Sequence, residues 1–142
     1  EVIQADRGER QLNKILETLA VIEARGQIPI AHVLATEGRH LSRNTTLIVI
    51  TPSTAMDWVA SLRELRRRGL QSVAVLLAAS SFGVAGSWKG TLSELIASGI
   101  LTYVVRRGES LAAALSQQAG APETYNRSPV GYGGVSSLRS RH

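Results

Sequence analysis

The stretch Gly83-Val-Ala-Gly86-Ser-Trp-Lys89-Gly90-Thr91 holds the residue types that a phosphate-binding loop uses. Glycine amides, an ammonium and a hydroxyl surround one phosphate only when Gly, Lys and Ser/Thr are contiguous. Ser87 and Trp88 separate Gly86 from Lys89, so the spacing departs from that pattern. Two readings follow: a mobile loop with a solvent lysine, or a small α/β nucleotide- or phosphate-binding protein that uses Gly83 to Thr91. A second set, Thr51, Ser53, Thr54 and Asp57, gathers hydroxyls and one carboxylate behind an apolar run. Such oxygens suit Mg²⁺ with its waters. A single carboxylate is sparse for a cation, and Thr54 with Asp57 also reads as a capping box. A third set is Arg66-Arg67-Arg68, with Arg63 and Arg106-Arg107 elsewhere. Arginines in a last helical turn suit the helix dipole. Nucleic acid is not expected as a partner, because no aromatic residues interleave with them. His32 and His40 are eight apart and share a helical face, and neither has a partner at metal-ligand spacing. With no Gly-x-Ser-x-Gly elbow and no framed acid pair, the expectation is a protein that is not an enzyme and carries no cofactor. Phe82 and Trp88, next to Ser80 and Ser81, are the residues best suited to anchoring a protein partner.

These groups need a scaffold, and the hydrophobic pattern supplies one. Thr45 to Ile50 turns from polar to continuously apolar and stops at Thr51-Pro52-Ser53. That predicts a strand buried on both faces, as in a parallel sheet between helix layers. Pro52 cannot donate to a ladder and ends it. Gln71 to Ala78 and Ile100 to Val105 predict two further strands. Helices are expected over Asp6 to Arg25, Pro29 to His40, Ala55 to Arg68, Leu92 to Ser98 and Ser110 to about Ala119. Leu12, Ile15, Leu16 and Leu19 mark the first by their spacing, and Trp58, Val59, Leu62 and Leu65 mark the third. Gly26, Gly69 and Gly99 supply stops. Thr91 with Glu94 predicts a second capping box. Strands alternating with helices imply an α/β fold, three-layered, with a mostly parallel Rossmann-like sheet. Three strands are narrow, and one edge is expected to need more.

The chain has 142 residues, of which 44% are apolar and only 4% aromatic, so its core must be aliphatic. It contains no cysteine, which excludes disulfides and thiol chemistry. The net charge of +5 permits anionic partners without establishing one. No apolar run reaches the ~18–20 residues that cross a bilayer, and the first residues lack the basic start of a signal peptide. Opening on Glu1 rather than Met suggests a fragment. Residues 1–119 read as the folded part. Residues 120–142, rich in Gly, Ser and Pro, read as a disordered tail.

The order and spacing of several segments carry a resemblance. They are Leu47-Ile-Val-Ile-Thr-Pro-Ser53, Asp57-Trp58, Leu62-Arg-Glu-Leu-Arg-Arg-Arg-Gly69, Val75-Leu-Leu77 and Ser81-Phe82-Gly83, flanked by Arg7 to Leu12 and by Arg106-Arg-Gly108. Together they resemble the carboxyl-terminal part of the bacterial domain-of-unknown-function 58 family, a branch of the von Willebrand factor A-like fold. The resemblance spans Arg7 to about Ser116. It implies that this chain supplies the later half of the fold, and that any Mg²⁺ site belongs to a longer parent, since Pro52 and Ser53 stand where a later aspartate would fall. It also implies a membrane-anchored parent with this segment on the cytoplasmic side. The implied role is that of an adaptor, whose protein partner is a MoxR-type AAA+ ATPase. Partner contacts are assigned to Thr51, Ser53, Asp57, Ser80, Ser81, Phe82 and Trp88. Unpaired strand edges add the expectation of self-association.

Overall fold

In the computed structural model, residues 3, 7–23 and 25–120 are described. The chain forms α1 (Glu9–Val21), then α2 (Ile30–Glu37), which tightens into a 3₁₀ turn at Gly38–His40. Three strand–helix units follow. These are β1 (Thr46–Thr51) with α3 (Asp57–Arg67), β2 (Gln71–Leu77) with α4 (Lys89–Ala97), and β3 (Leu101–Val105) with α5 (Leu111–Ser116). A 3₁₀ turn at Ala79–Phe82 lies between β2 and α4. Each expected element is present, with ends shifted by a few residues. Asp6, the expected start of the first helix, lies outside the described residues, as does the expected tail from residue 121 onward.

The strands form one parallel sheet in the order β1-β2-β3. Its register sets two faces. Val49, Thr51, Ala74, Leu76, Thr102 and Val104 share one face, because Val49 pairs with Ala74, Thr51 with Leu76, Ala74 with Thr102 and Leu76 with Val104. On this face sits the core. Trp58, Val59, Leu62 and Leu65 of α3 meet Val49, Ala74 and Leu76, joined by Leu34, Leu70, Leu95 and Ile100. Trp58, Leu62, Leu76 and Leu95 are fully buried. Each such side chain contributes about 1.5–3 kcal/mol relative to exposure.

The other face corrects the expectation of a strand buried on both sides. β1 is an edge strand rather than the centre of the sheet. Its Ile48 and Ile50 stay 59% and 66% exposed, while Val49 between them is buried. An apolar run marks both faces as apolar without saying what covers them. Helices α2, α3 and α4 contribute to one core, and α5 packs against β3. The architecture is therefore an α/β fold with a small open parallel sheet of three strands.

Both expected capping boxes are also replaced. Met56 precedes α3 and Trp88 precedes α4, and neither helix has a side-chain cap. Ser110 does cap α5, accepting from the Ala113 amide at 3.1 Å.

Gly38 lets the 3₁₀ turn approach α3 closely. A Cβ there would lie 2.5 Å from Leu65 Cδ2, and Leu65 is itself buried. Gly38→Ala is expected to overpack this contact and to cost about 1–3 kcal/mol. Gly26, which has open space around it, serves as the control. Chemical denaturation of Gly38→Ala and Gly26→Ala checks this, with a lowered midpoint expected for the first only.

Candidate functional site

All three strands run parallel, so Thr51, Leu77 and Val105 bring their following loops to the same end of the sheet. The Ala78 amide continues the ladder one step further, donating to the Val105 carbonyl at 2.9 Å. Beyond that point the loops are tied to one another by hydroxyls.

The β1–α3 loop folds on itself. The Ser53 amide donates to Thr51 Oγ1 at 3.1 Å, and the Ala55 amide to Ser53 Oγ at 3.3 Å. The indole N–H of Trp58 reaches back to the Ser53 carbonyl at 3.3 Å. Asp57 Oδ1 accepts from the Trp58 amide at 2.8 Å. Thr51 is buried, so it supports the rim from below, while Asp57 is exposed on it.

The β2–α4 segment is tied on both sides. Ser81 Oγ donates to the Ala78 carbonyl at 2.7 Å and accepts from the Arg107 amide at 2.9 Å, which joins it to the turn after β3. Thr91 is fully buried, and its hydroxyl donates to the Thr54 carbonyl at 3.0 Å. That bond links α4 to the β1–α3 loop.

Between these loops lies a cleft of about 420 Å³, lined by Pro52, Ser53, Thr54, Ala55, Ala79, Val84 and Ala85. The lining is small and mostly apolar, with Ser53 and Thr54 as its polar residues. Val84 of the lining is 59% exposed, and Phe82, two residues before it in the chain, is 48% exposed. Met56, also exposed, lies near Gly90, where a Cβ would sit 3.5 Å from its Cε. Ser80 is exposed as well.

The two loop aromatics part company. Phe82 projects into solvent. Trp88 is half-buried against the core, and the Arg106 guanidinium stands over its ring at 5.2 Å from the centroid. The Arg63 Nη1 to Glu94 Oε1 pair, at 3.0 Å, joins α3 to α4. The features of a phosphate loop do not converge. Lys89 opens α4, whereas the Thr91 hydroxyl is committed inward. Among the described residues no group of three or more His, Cys, Asp or Glu is placed to hold a metal ion. No described helix is long and apolar enough to cross a membrane.

Sequence reasoning missed Met56, Val84 and the linking role of Thr91. A signal for Thr91 was present: it stands four residues before Leu95, on the apolar side of α4. Comparison with protein-family models, curated proteins and solved structures finds no match.

Thr91→Val keeps the shape of the side chain and removes the donor, leaving the Thr54 carbonyl without its partner. A loss of about 1–2 kcal/mol is expected. Amide hydrogen exchange over residues 53–56 is expected to accelerate. Thr91→Ser, which retains the hydroxyl, is expected to keep that protection. Equal exchange in Thr91→Val and the parent would show that the bond does not hold the loop.

Proposed function

We propose that this protein is a non-enzymatic interaction module, and that its strand-end rim receives an apolar side chain of a protein partner. The cleft between the β1–α3 and β2–α4 loops carries this reading. It is concave, its lining is predominantly small and apolar, and exposed Phe82 and Val84 extend its apolar surface. A few convergent polar groups within an apolar hollow are what fix a docked side chain in place. Phe82, exposed and two residues from Val84 of the lining, is the anchor, because an exposed aromatic residue gives up much apolar area on contact. Ser53, Asp57, Ser80 and Ser81 supply the polar border. Thr51 and Trp88 hold the border in shape. The hydroxyl ties between loops favour this role, since a rim already ordered loses less freedom on binding.

The finer identity rests on the resemblance set out above. On that basis the module is the later half of a von Willebrand A-like domain, in a membrane-anchored parent, facing the cytoplasm. Its partner is a MoxR-type AAA+ ATPase, and its role is that of an adaptor needing no cofactor of its own.

Two variants separate contact from support. Phe82→Ala is expected to weaken binding to a MoxR-type ATPase about tenfold, the equivalent of about 1.4 kcal/mol, with little change in melting temperature. Trp88→Ala is expected to lower the melting temperature, because its ring packs on the core. Isothermal titration with thermal melts reads both effects. Undiminished affinity in Phe82→Ala would remove the rim as the contact surface. Magnesium nucleotide is expected to leave the melting temperature unchanged. A concentration-dependent rise would instead favour a nucleotide site at Gly83 to Thr91.

A further inference from the structure

The rim occupies the carboxyl end of the sheet. The opposite end, where the strands begin, is basic. Arg66, Arg67 and Arg68 close α3, Arg39 and His40 lie in the first 3₁₀ turn, and Arg43 lies in the turn before β1. The fold draws these groups together. Gly38 packs against Leu65, which sets the 3₁₀ turn beside the end of α3. Gly69, at φ 92°, turns the chain from α3 toward β2, and the Arg43 side chain lies across it, with Cδ 3.6 Å from where a Cβ would stand. Gly99, at φ 67°, makes the same turn from α4 toward β3, and Arg66 reaches across to it, with Nη1 3.2 Å from where a Cβ would stand. All five arginines are exposed. Arg67 pairs with Glu64 at 2.6 Å, but Arg39, Arg43, Arg66 and Arg68 form no ion pair among the described residues. Helix ends account for only part of this charge. The carboxyl ends of α3 and α4 each carry about half a negative charge, so together they match about one cation. The acids of these segments are Glu37 and Glu64, which leave the five arginines a formal surplus of three.

We infer that this end of the sheet rests on a membrane surface that bears anionic phospholipids. A cluster of arginines of this size is what an anionic leaflet attracts, and the attraction needs no shaped pocket. A protein partner would need an apolar centre to dock on. Residues 37–45, 64–71 and 97–101 include no exposed large apolar side chain and no Phe, Trp or Tyr. A nucleic acid would need a helix flank or a strand pair to enter a groove, or an aromatic ring to stack a base. Here the arginines stand at turns and at a helix end. The inference does not depend on the reading of the rim. The eleven residues of α3 separate the two ends by about 16 Å. That is about twice the distance over which exposed charges act at physiological salt, so the rim cations Lys89 and Arg107 belong to a separate surface. A molecule resting on its arginines turns the strand-end loops away from the bilayer.

Vesicle co-sedimentation of the 142-residue chain tests this. Vesicles of an equal mixture of phosphatidylcholine and phosphatidylglycerol are expected to bind it at least about tenfold more tightly than phosphatidylcholine alone, and high salt is expected to abolish the difference. Arg43→Gln with Arg68→Gln is expected to lower binding to the mixed vesicles at least about tenfold. The circular dichroism spectrum is expected to be retained, since neither arginine forms an ion pair among the described residues. Arg39→Gln with Arg68→Gln, which keeps the Arg43 contact with Gly69, is expected to give the same loss. Lys89→Gln with Arg107→Gln removes equal charge at the rim and is expected to change binding by less than about twofold. A loss of the same size in the rim pair would overturn the inference, leaving net charge alone as the cause. Equal binding to both kinds of vesicle would overturn it as well. Tighter binding to a short DNA duplex than to the mixed vesicles, at equal phosphate concentration, would overturn it in favour of a nucleic-acid surface.

Discussion

Trp58 is fully buried beneath the sheet's carboxyl end, and its indole N–H reaches the Ser53 carbonyl. One side chain thus joins the core to the rim. Its ring fills the space between α3 and the strands, which gives α3 a fixed seat. Its single donor then fixes the loop that leaves β1. An indole buried without a partner would be costly, so the position of Ser53 and the packing of the core are not independent. Any change that shifts α3 on the sheet moves the floor of the cleft as well. The structural basis of the rim is therefore tertiary, although the residues that line it lie in loops.

The hydroxyls extend the same logic. Thr51, Ser53, Ser81 and Thr91 are all placed where a reactive or ligand-binding oxygen would stand in other α/β proteins. Here each is engaged with backbone. Thr91 and Ser81 act between loops, and Thr51 and Ser53 act within one. A cleft held in this way is set before any partner arrives. What it then offers is shape, apolar lining and exposed aromatic surface, which are the materials of recognition.

Much of the scaffold was legible in the sequence because it depends on local periodicity. The stripe of Trp58, Val59, Leu62 and Leu65 specifies α3, and the runs at Val73 to Leu77 and Leu101 to Val105 specify strands, whatever surrounds them. The position of β1 was not legible. Ile48 and Ile50 look the same in sequence whether they are covered by this chain or by another surface. Capping was misread for a related reason. Thr54 and Thr91 have the local spacing of caps, but tertiary contact between the two loops claims the Thr54 carbonyl and the Thr91 hydroxyl for each other. The cleft itself arises from loops about 30 residues apart, Pro52 to Ala55 and Ala79 to Ala85. Parallel pairing brings them together, and no motif within either loop announces it.

The two apolar regions differ in what they can discriminate. On the second face of the sheet the edge strand exposes Ile48 and Ile50, an apolar strip that rewards area and tolerates many shapes. The cleft at the rim is smaller and lined by two loops, with Ser53 and Thr54 among its mostly apolar residues. They also point in different directions. Side chains of Ile48 and Ile50 stand normal to the sheet, whereas Pro52, Ser53 and Phe82 lie beyond the ends of its strands.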